Sequence, residues 1–541
     1  MEPKEILKFC LGKGLLLDEE TLNLLSEVND FDSVKLVIEK IKNYTQEKII
    51  TKDIFNENKE QVNQLFFSLP KENQKRLEKL KVKLGLSIEI SRQSREITLP
   101  VHSDIGEQTV PKENEFPNPE EIKATQKEDS GSLKIISMSP AVGKSLEVKD
   151  FVNHFRNRFS DMRSILQEHS ELKNLVSINK ISENRQGISI IGMVYDKRIT
   201  KNKNILLVVE DLTGKILVLV NQNKPEIYEK AKEISLDSVI GFSGSGNREI
   251  FFVNDIVFPD SVIFERKKAS VEEYALFIGD LHFGSQKFLE KNFLKFINYL
   301  NGKVPDTPEA EKIKYLFIVG DLITGVGNYP NQERDLKITD IEEQFVKLAE
   351  LLGKIRKDIK IIISPGNHDG VRLMEPQPFL DEKYAWALYD LKNVFITENP
   401  AQINIASRQG FSGFDILTYH GFSFPYYANN VPRLMKKKAM NSPEEIMKYL
   451  LKNRHLAPAH SSVQYFPLEK DALMIRKVPD IFISGHTHKS GISYYNNILV
   501  VSVSCWEEMT PYQEKFGNKP DHCKVPAFNL KTREVKILDF E

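Results

Sequence analysis

The sequence has only three cysteines, Cys10, Cys505 and Cys523, an odd number scattered over 541 residues. That excludes a disulfide framework and a cysteine-based zinc site, and it points to a reducing, intracellular compartment. Long hydrophobic runs are missing as well: no stretch approaches the roughly 18 consecutive apolar residues that cross a bilayer. The start, MEPKEILKFCLGKG, has neither the apolar core nor the small-residue cleavage site of a secretory signal. These absences predict a soluble, cytoplasmic chain. An excess of one charge is also lacking, because 75 basic and 76 acidic residues nearly cancel. No global positive field is available to drive strong non-specific nucleic-acid binding, so any such contact must be local. With Gly at 27 and Pro at 25, a collagenous or wholly low-complexity chain is excluded.

What is present is a globular composition, 40% hydrophobic and 28% charged. At roughly 150 residues per domain the length predicts about three or four domains. Short amphipathic stretches such as ILKFCLGKG, TLNLLSEV and SVKLVIEKIKNY predict a helical module over residues 1–75. Apolar periodicity then collapses, and the Pro-, Glu-, Lys- and Ser-rich segment 90–145 reads as a flexible linker. A helix is expected from about Val148 to Glu171, capping the next domain. Strand-like runs follow, LVSINKI, ISIIGMVYDKRI, ILLVVEDL, ILVLVN, SVIGFSGSG and IFFVNDIVF, with one helix-like insert at PEIYEKAKEI. Over 146–265 this rhythm predicts a capping helix plus a small barrel of the OB type, a fold that often binds oligonucleotides but also serves for packing or partner contact. From 270 to 541, apolar strands alternate with helical stretches, the pattern of an α/β domain. The fold class is therefore multidomain α+β.

Five apolar runs in this last domain stop at candidate metal ligands. YALFIGD runs into Asp280 and His282, YLFIVGD ends at Asp321, and IIISPGNHD delivers Asn367, His368 and Asp369. DILTYHG ends at His420, and DIFISGHTH delivers His486 and His488. Ligand crevices lie beyond the carboxyl ends of strands in α/β sheets, so these endings are expected around one site. Nitrogen and oxygen donors without thiolates suit Mn²⁺, Fe²⁺ or Zn²⁺. They are too many for one tetrahedral ion and fit two cations roughly 3.5–4 Å apart, the arrangement that serves phosphoester hydrolysis. Each piece alone is weak, since a DxH or a GD is a common polar turn; the ordered series is the specific signal.

The order DxH, GD, GNHD, lone His, GHxH resembles that of the calcineurin-like metallophosphoesterase superfamily, which implies a β-sandwich flanked by helices. By that resemblance Asp280, His282 and His488 hold one metal, Asn367, His420 and His486 hold the other, and Asp321 bridges them. His368 is left as the catalytic non-ligand that contacts the scissile phosphate. Together with PGNHDGVRLMEPQP from Pro365 and RHLAP from Arg454, the domain order resembles the small-subunit family of archaeal family D DNA polymerases. That resemblance implies a dimetal 3′ to 5′ exonuclease, with Mn²⁺ as the first choice of metal, in a DNA-directed polymerase. It implies a heterodimer with a large catalytic subunit and a DNA 3′ end, single-stranded or mismatched, as substrate. A sliding clamp reached through the complex and an archaeal, nucleoid-associated location come with it. The rival readings are a non-catalytic replication scaffold and a stand-alone phosphatase or phosphodiesterase.

Other residues are read less specifically. Arg372, four residues after His368, is a candidate phosphate clamp and equally a surface ion pair. Lys436, Lys437 and Lys438 read as a solvated helix face. His455 is expected near the site, His460 and His522 as ordinary polar residues, and Trp506 as packing against the sheet.

Overall fold

In the computed structural model the runs YALFI, IKYLFIV and KIIIS are neighbouring parallel strands, Tyr274–Ile278, Ile313–Val319 and Lys360–Ser364. They are covered on both faces, which is why they read as continuous apolar runs and do not alternate. Val394–Ile396 joins one side and Lys524–Asn529 with Val535–Asp539 the other, completing a six-stranded sheet. A second, seven-stranded sheet is built on the parallel strands Phe414–Tyr419, Ile481–Ser484 and Ile498–Ser502. Phe277, Phe317 and Val319 of the first sheet meet Ile403, Ile416, Ile483 and Val501 of the second in one buried core. On the outer face of the first sheet, Leu276 and Ile318 pack against Phe296 of helix Glu290–Leu300 and Leu348 of helix Ile341–Leu352. On the outer face of the second, Leu417 and Phe482 pack against Ile446 and Leu450 of helix Pro443–Asn453. The domain is thus a β-sandwich flanked by helices, and each fully buried Leu, Ile or Phe contributes about 1.5–3 kcal/mol to it.

The structure describes residues 145–541 except 183, 184 and 516, the segments 122–123 and 132–136, and, within the first fifty residues, 3–18, 21, 22, 25, 34, 35, 38, 42, 49 and 50. They fall into two units, Met1–Asn114 and Glu115–Glu541. In the first, the helix Pro3–Gly12 forms as expected, and Leu16–Leu17 pairs in parallel with Ile49–Ile50. Most of the expected helical module 1–75 lies outside the described residues.

Two expectations need correction. The stretch 90–145 is not linker throughout, because Leu133–Ile136 pairs antiparallel with Ala401–Ile405 and with Ile122–Lys123 at the edge of the second sheet. Leu133 is buried there, so the short segment LKII in polar surroundings is a strand of the sandwich. LVSINKI is not a strand either. It makes a single bridge from Leu175 to Ser189, then turns at Ile178–Lys180, where the Asp211 carboxylate accepts the Ile178 N–H at 2.9 Å.

The other five strand readings hold. Arg185–Ile199, Ile205–Asp211, Gly214–Val220, Val239–Gly246 and Ile250–Val257 close a barrel in the order first, second, third, fifth, fourth. The helix Pro225–Lys232 lies between the third and fourth strands. Alternate residues such as Ile190, Leu207, Val209, Val218 and Phe242 fill its interior.

Helix Val148–Gln167 begins where Glu147 donates its N–H to the Asp150 carboxylate at 2.9 Å. Its buried face runs Asp150, His154, Arg158, Met162, Leu166, one residue per turn. The apolar end packs on the barrel through Ile191, Met193 and Val239, and the polar end reaches the sandwich, where Arg158 pairs with Asp471. Barrel and sandwich also meet directly: Lys452 pairs with Glu233 at 2.8 Å, and the His460 N–H donates to the Asp237 carboxylate at 2.9 Å. Among the described residues, no helix is long and apolar enough to cross a membrane.

Candidate metal centre

The five runs singled out from the sequence end at one place, the joint carboxyl edge of both sheets. Residues leave these strands in tight turns. Asp280, His282, Asp321, His486 and His488 all adopt positive φ, from 47° to 69°, in the left-handed region. Each such non-glycine residue costs of order 1–3 kcal/mol, a strain held at a functional site when surrounding bonds determine it. Here they do: the Asp280 N–H donates to the Gly320 carbonyl at 3.0 Å, and the His282 N–H to the Asp321 carbonyl at 3.0 Å. The His486 N–H donates to the Asp280 carboxylate at 3.0 Å. Glycine precedes the ligand types because nothing larger fits. A Cβ on Gly320 would stand 2.1 Å from His420 Nδ1, and one on Gly485 would stand 2.6 Å from Asp280 Oδ2.

Three overlapping donor groups result, one of them joining His282 and Asp321 to His368. In the first, one ligand atom each of Asp280, His282 and His488 lie within 4.8 Å of one another. His282 Nε2 and His488 Nε2 are 3.0 Å apart, and His488 Nε2 is 3.7 Å from Asp280 Oδ1. In the second, Asp321, His420 and His486 lie equally close, and Asn367 joins them with its Oδ1 at 3.0 Å from His420 Nε2. Asp321 Oδ2 stands between the sets, 3.2 Å from His420 Nε2 and 3.8 Å from His282 Nε2. His368 is half-buried at the edge, its ring 4.9 Å from that of His282. Its Nδ1 donates to the Thr324 carbonyl at 2.9 Å, leaving Nε2 as the atom it can offer.

Burial pushes the His282 and His486 imidazoles down to about 3, and it pushes His488 down too, so these rings are neutral with a lone pair to give. Burial acts downward on His420 as well, but the charge and hydrogen bond of Asp321, with Asp280 and Asp369, raise it to about 9. Asp321 is held well below the usual carboxylate range against its burial, first by His420 and then by His368. Asp280 is driven well above that range by burial and by the Asp321 charge. Two imidazole Nε2 atoms at 3.0 Å, with the Asp280 and Asp321 carboxylates each clustered with imidazoles, put lone pairs into the same buried space. Divalent cations of intermediate hardness relieve that conflict, so the donor set fits two of them.

Behind the donors lies a network of amide side chains and one carboxyl. The Asn399 Oδ1 accepts the His420 N–H at 2.8 Å, its Nδ2 donates to Gln377 Oε1 at 2.7 Å, and Gln377 Nε2 donates to the Gly366 carbonyl at 3.2 Å, next to Asn367. Gln513 meets His488 Nδ1 at 2.8 Å. Asp369 accepts the N–H groups of Ile323 and Gly366 at 3.0 and 2.7 Å, joining two ligand loops; burial and the Asp321 charge push it up to about 7. Asn399, Gln377 and Gln513 escaped the sequence reading, since a lone amide side chain carries no signature.

The remaining expectations divide. Arg372 is tied to its own loop: it donates to the Met374 and Pro376 carbonyls at 3.2 and 2.8 Å and lies over the Phe466 ring. His455 hydrogen-bonds Asp471 at 2.9 Å in a buried cluster with Arg158 and His154, and none of its hydrogen bonds goes to a candidate ligand. Trp506 is fully buried among Phe293, Phe296 and Phe540, as expected of packing. Lys437 pairs with Glu445 on the exposed end of helix Pro432–Lys436.

A calcineurin-like phosphoesterase family profile matches residues 275–490. Over 436 residues the chain is 34% identical to the DNA polymerase II small subunit of Methanothermobacter thermautotrophicus, covering 79% of this chain and 88% of that one. Over 420 residues it is 35% identical to the one from Methanocaldococcus jannaschii, covering 76% and 69%. Over 403 residues it is 38% identical to the one from Pyrococcus furiosus, covering 73% of this chain and 64% of that longer relative.

Proposed function

Because the chain belongs to the family of DNA polymerase II small subunits, we propose that it is the 3′ to 5′ exonuclease subunit of a two-subunit replicative polymerase. The observation that carries this reading is the convergence of the Asp280–His282–His488 and Asp321–His420–His486 donors, with Asp321 between them. A scaffold has no use for so many strained, buried acceptors. Two divalent cations there, Mn²⁺ first among them, would polarise a phosphoryl oxygen and make water a nucleophile near neutral pH. The protein's own part is to hold the phosphodiester in line and to exclude other geometries. His368, with its Nδ1–H held by the Thr324 carbonyl, would have to act as the doubly protonated imidazolium, giving its Nε2 proton to the departing 3′ oxygen and reverting to the neutral ring as the terminal nucleotide leaves with its 5′ phosphate.

The barrel supports a DNA substrate. We read it as an OB fold, a reading supported by its five closed strands with a helix between the third and fourth, and folds of that type guide single strands by stacking and phosphate contacts. A frayed or mismatched 3′ end is the form of DNA able to enter a crevice of this kind. In this reading the large catalytic subunit is the partner, and a sliding clamp is reached through the complex.

The test is nucleotide release from a 3′-mismatched primer with Mn²⁺, by this chain, Asp321→Ala and His368→Ala, each with and without the large subunit. Mononucleotides released by the wild type and lost in both variants, with the Asp321→Ala protein still folded, are the expected result. No release from any wild-type sample, despite bound metal and a stable complex, leaves a scaffold in place of a nuclease.

A further inference from the structure

Beside the metal centre is a cavity of about 540 Å³ that the donor chemistry does not use. Its apolar walls are Phe422, Phe151, Tyr465 and Met374, and its polar edge is His460, Ser461, Ser462 and Gln464. Phe422 is shared: its ring packs edge-on to the candidate ligand His486, with centroids 5.6 Å apart, and also lines the cavity. Met374 lies six residues beyond His368, so the same loop runs from the centre to the cavity. Phe151 comes from helix Val148–Gln167, and the His460 N–H is tied to Asp237 of the barrel. The cavity thus lies where barrel, helix and metal centre meet.

We propose that this cavity is a nucleobase pocket, taking the 3′-terminal base of the strand whose phosphodiester is held at the metal centre. The inference rests on the nuclease reading and names what that site recognises. Three features select a base. Among the described residues no Asp, Glu, Lys or Arg lines the cavity, so it lacks the lysine or arginine charge that would favour a phosphate over a base. Flat aromatic walls suit the faces of a base, and hydroxyl, amide and imidazole groups on one edge suit its hydrogen-bonding rim. The volume falls within the roughly 300–1,000 Å³ of small-ligand sites.

The walls are also pre-formed. The Glu375 N–H donates to the Gln464 carbonyl at 2.9 Å, and the Phe466 N–H to the Glu375 carbonyl at 2.7 Å, locking the two loops together. Tyr465 stacks on His154 at 5.0 Å and shares a 2.7 Å hydrogen bond with His460 Nδ1. Arg372, drawn away toward its own loop carbonyls, helps to set Met374 in place.

Two measurements on the full chain test the pocket. The first is saturation-transfer NMR with 2′-deoxyadenosine 5′-monophosphate, with 2-deoxyribose 5-phosphate as the base-free control. The second compares kcat/KM on oligonucleotides ending in a normal or an abasic 3′ nucleotide. Ser461→Trp fills the cavity from its exposed rim without removing a core side chain, and Phe151→Ala removes one wall. We expect saturation of the adenine protons by the wild type, lost in Ser461→Trp, and a preference for the base-containing end of about ten- to a hundred-fold, the worth of base–aromatic stacking. In both variants the preference should collapse toward one. No transfer to adenine, equal rates on the two ends in the wild type, or a preference that Ser461→Trp leaves intact overturns the pocket. Adenine contact that Ser461→Trp abolishes, with no hydrolysis in any sample, keeps the pocket and sinks the nuclease. Hydrolysis indifferent to the base does the reverse.

Discussion

Asp471→Asn should be among the most damaging substitutions away from the metal centre. Its carboxylate accepts from Arg158 Nε at 2.5 Å and from His455 Nε2 at 2.9 Å, while His154 Nε2, 3.3 Å away, accepts from Arg158 Nη2 at 3.0 Å. Asp471 is 1% exposed and Arg158 2% exposed, so the pair belongs to the buried regime, where solvent screens little. Removing one partner of such a pair costs about 3–5 kcal/mol, because the other charge stays buried and unpaired. The asparagine keeps the shape, so nearly all of that cost is electrostatic. Adding Arg158→Met should recover part of the loss by removing the stranded guanidinium. The recovery is incomplete, since the Pro458 carbonyl then loses the 3.0 Å bond from Arg158, worth about 1–3 kcal/mol as an unsatisfied buried acceptor. Urea unfolding of the full chain, followed by tryptophan fluorescence, reads the event, because both tryptophans, Trp386 and Trp506, lie in the sandwich. A loss below about 1 kcal/mol for Asp471→Asn, or a double variant no more stable than the single one, would refute the reasoning.

Two further outcomes follow from neighbouring groups. Burial, and then the Arg158 charge, push His455 down to about 4; the Ala457 N–H donating to its Nδ1 at 2.9 Å is consistent with the neutral ring. The unfolded chain gains this proton first, so the contribution is complete above about 6.5 and drains as pH falls toward 4, by up to about 1.4 kcal/mol per pH unit. Asp471, held well below the ordinary carboxylate range, loses its contribution only at lower pH and stays out of this window. The drop in urea midpoint from pH 7 to pH 5 should therefore shrink in His455→Gln, and an unchanged drop would discard the assignment. At the metal centre, Asn399→Ala removes the acceptor of the His420 N–H and the partner of Gln377. Calorimetric titration with Mn²⁺ should show affinity weakened about 10- to 100-fold, the usual effect of losing an outer-shell partner; wild-type affinity would show that Asn399 positions nothing.

The parts that sequence reading reached and missed differ in how far away their explanations lie. Asp280, Asp321 and His420 were legible because a chemical demand falls on residue types at the ends of apolar runs, and both are local in sequence. The barrel was legible for a similar reason, since Leu207, Val209, Ile216 and Val218 alternate inward over short, well-bounded strands. Leu133–Ile136 was not, because a four-residue edge strand is specified by Ala401–Ile405, more than 260 residues later, and not by its own surroundings. Arg372 shows the same limit in a side chain: its charge announces a need for acceptors but not whether a phosphate or its own loop supplies them. In helix Val148–Gln167 the apolar positions were visible, whereas Asp150, His154 and Arg158 look like a solvated face unless Asp471 is known to lie opposite. A buried polar residue is stable only with its partner, and that partner stands 313 residues away. Local periodicity therefore identifies which strands and ligands this fold must have, while the contacts that hold barrel, helix and metal centre in one arrangement lie in pairings that only three dimensions supply.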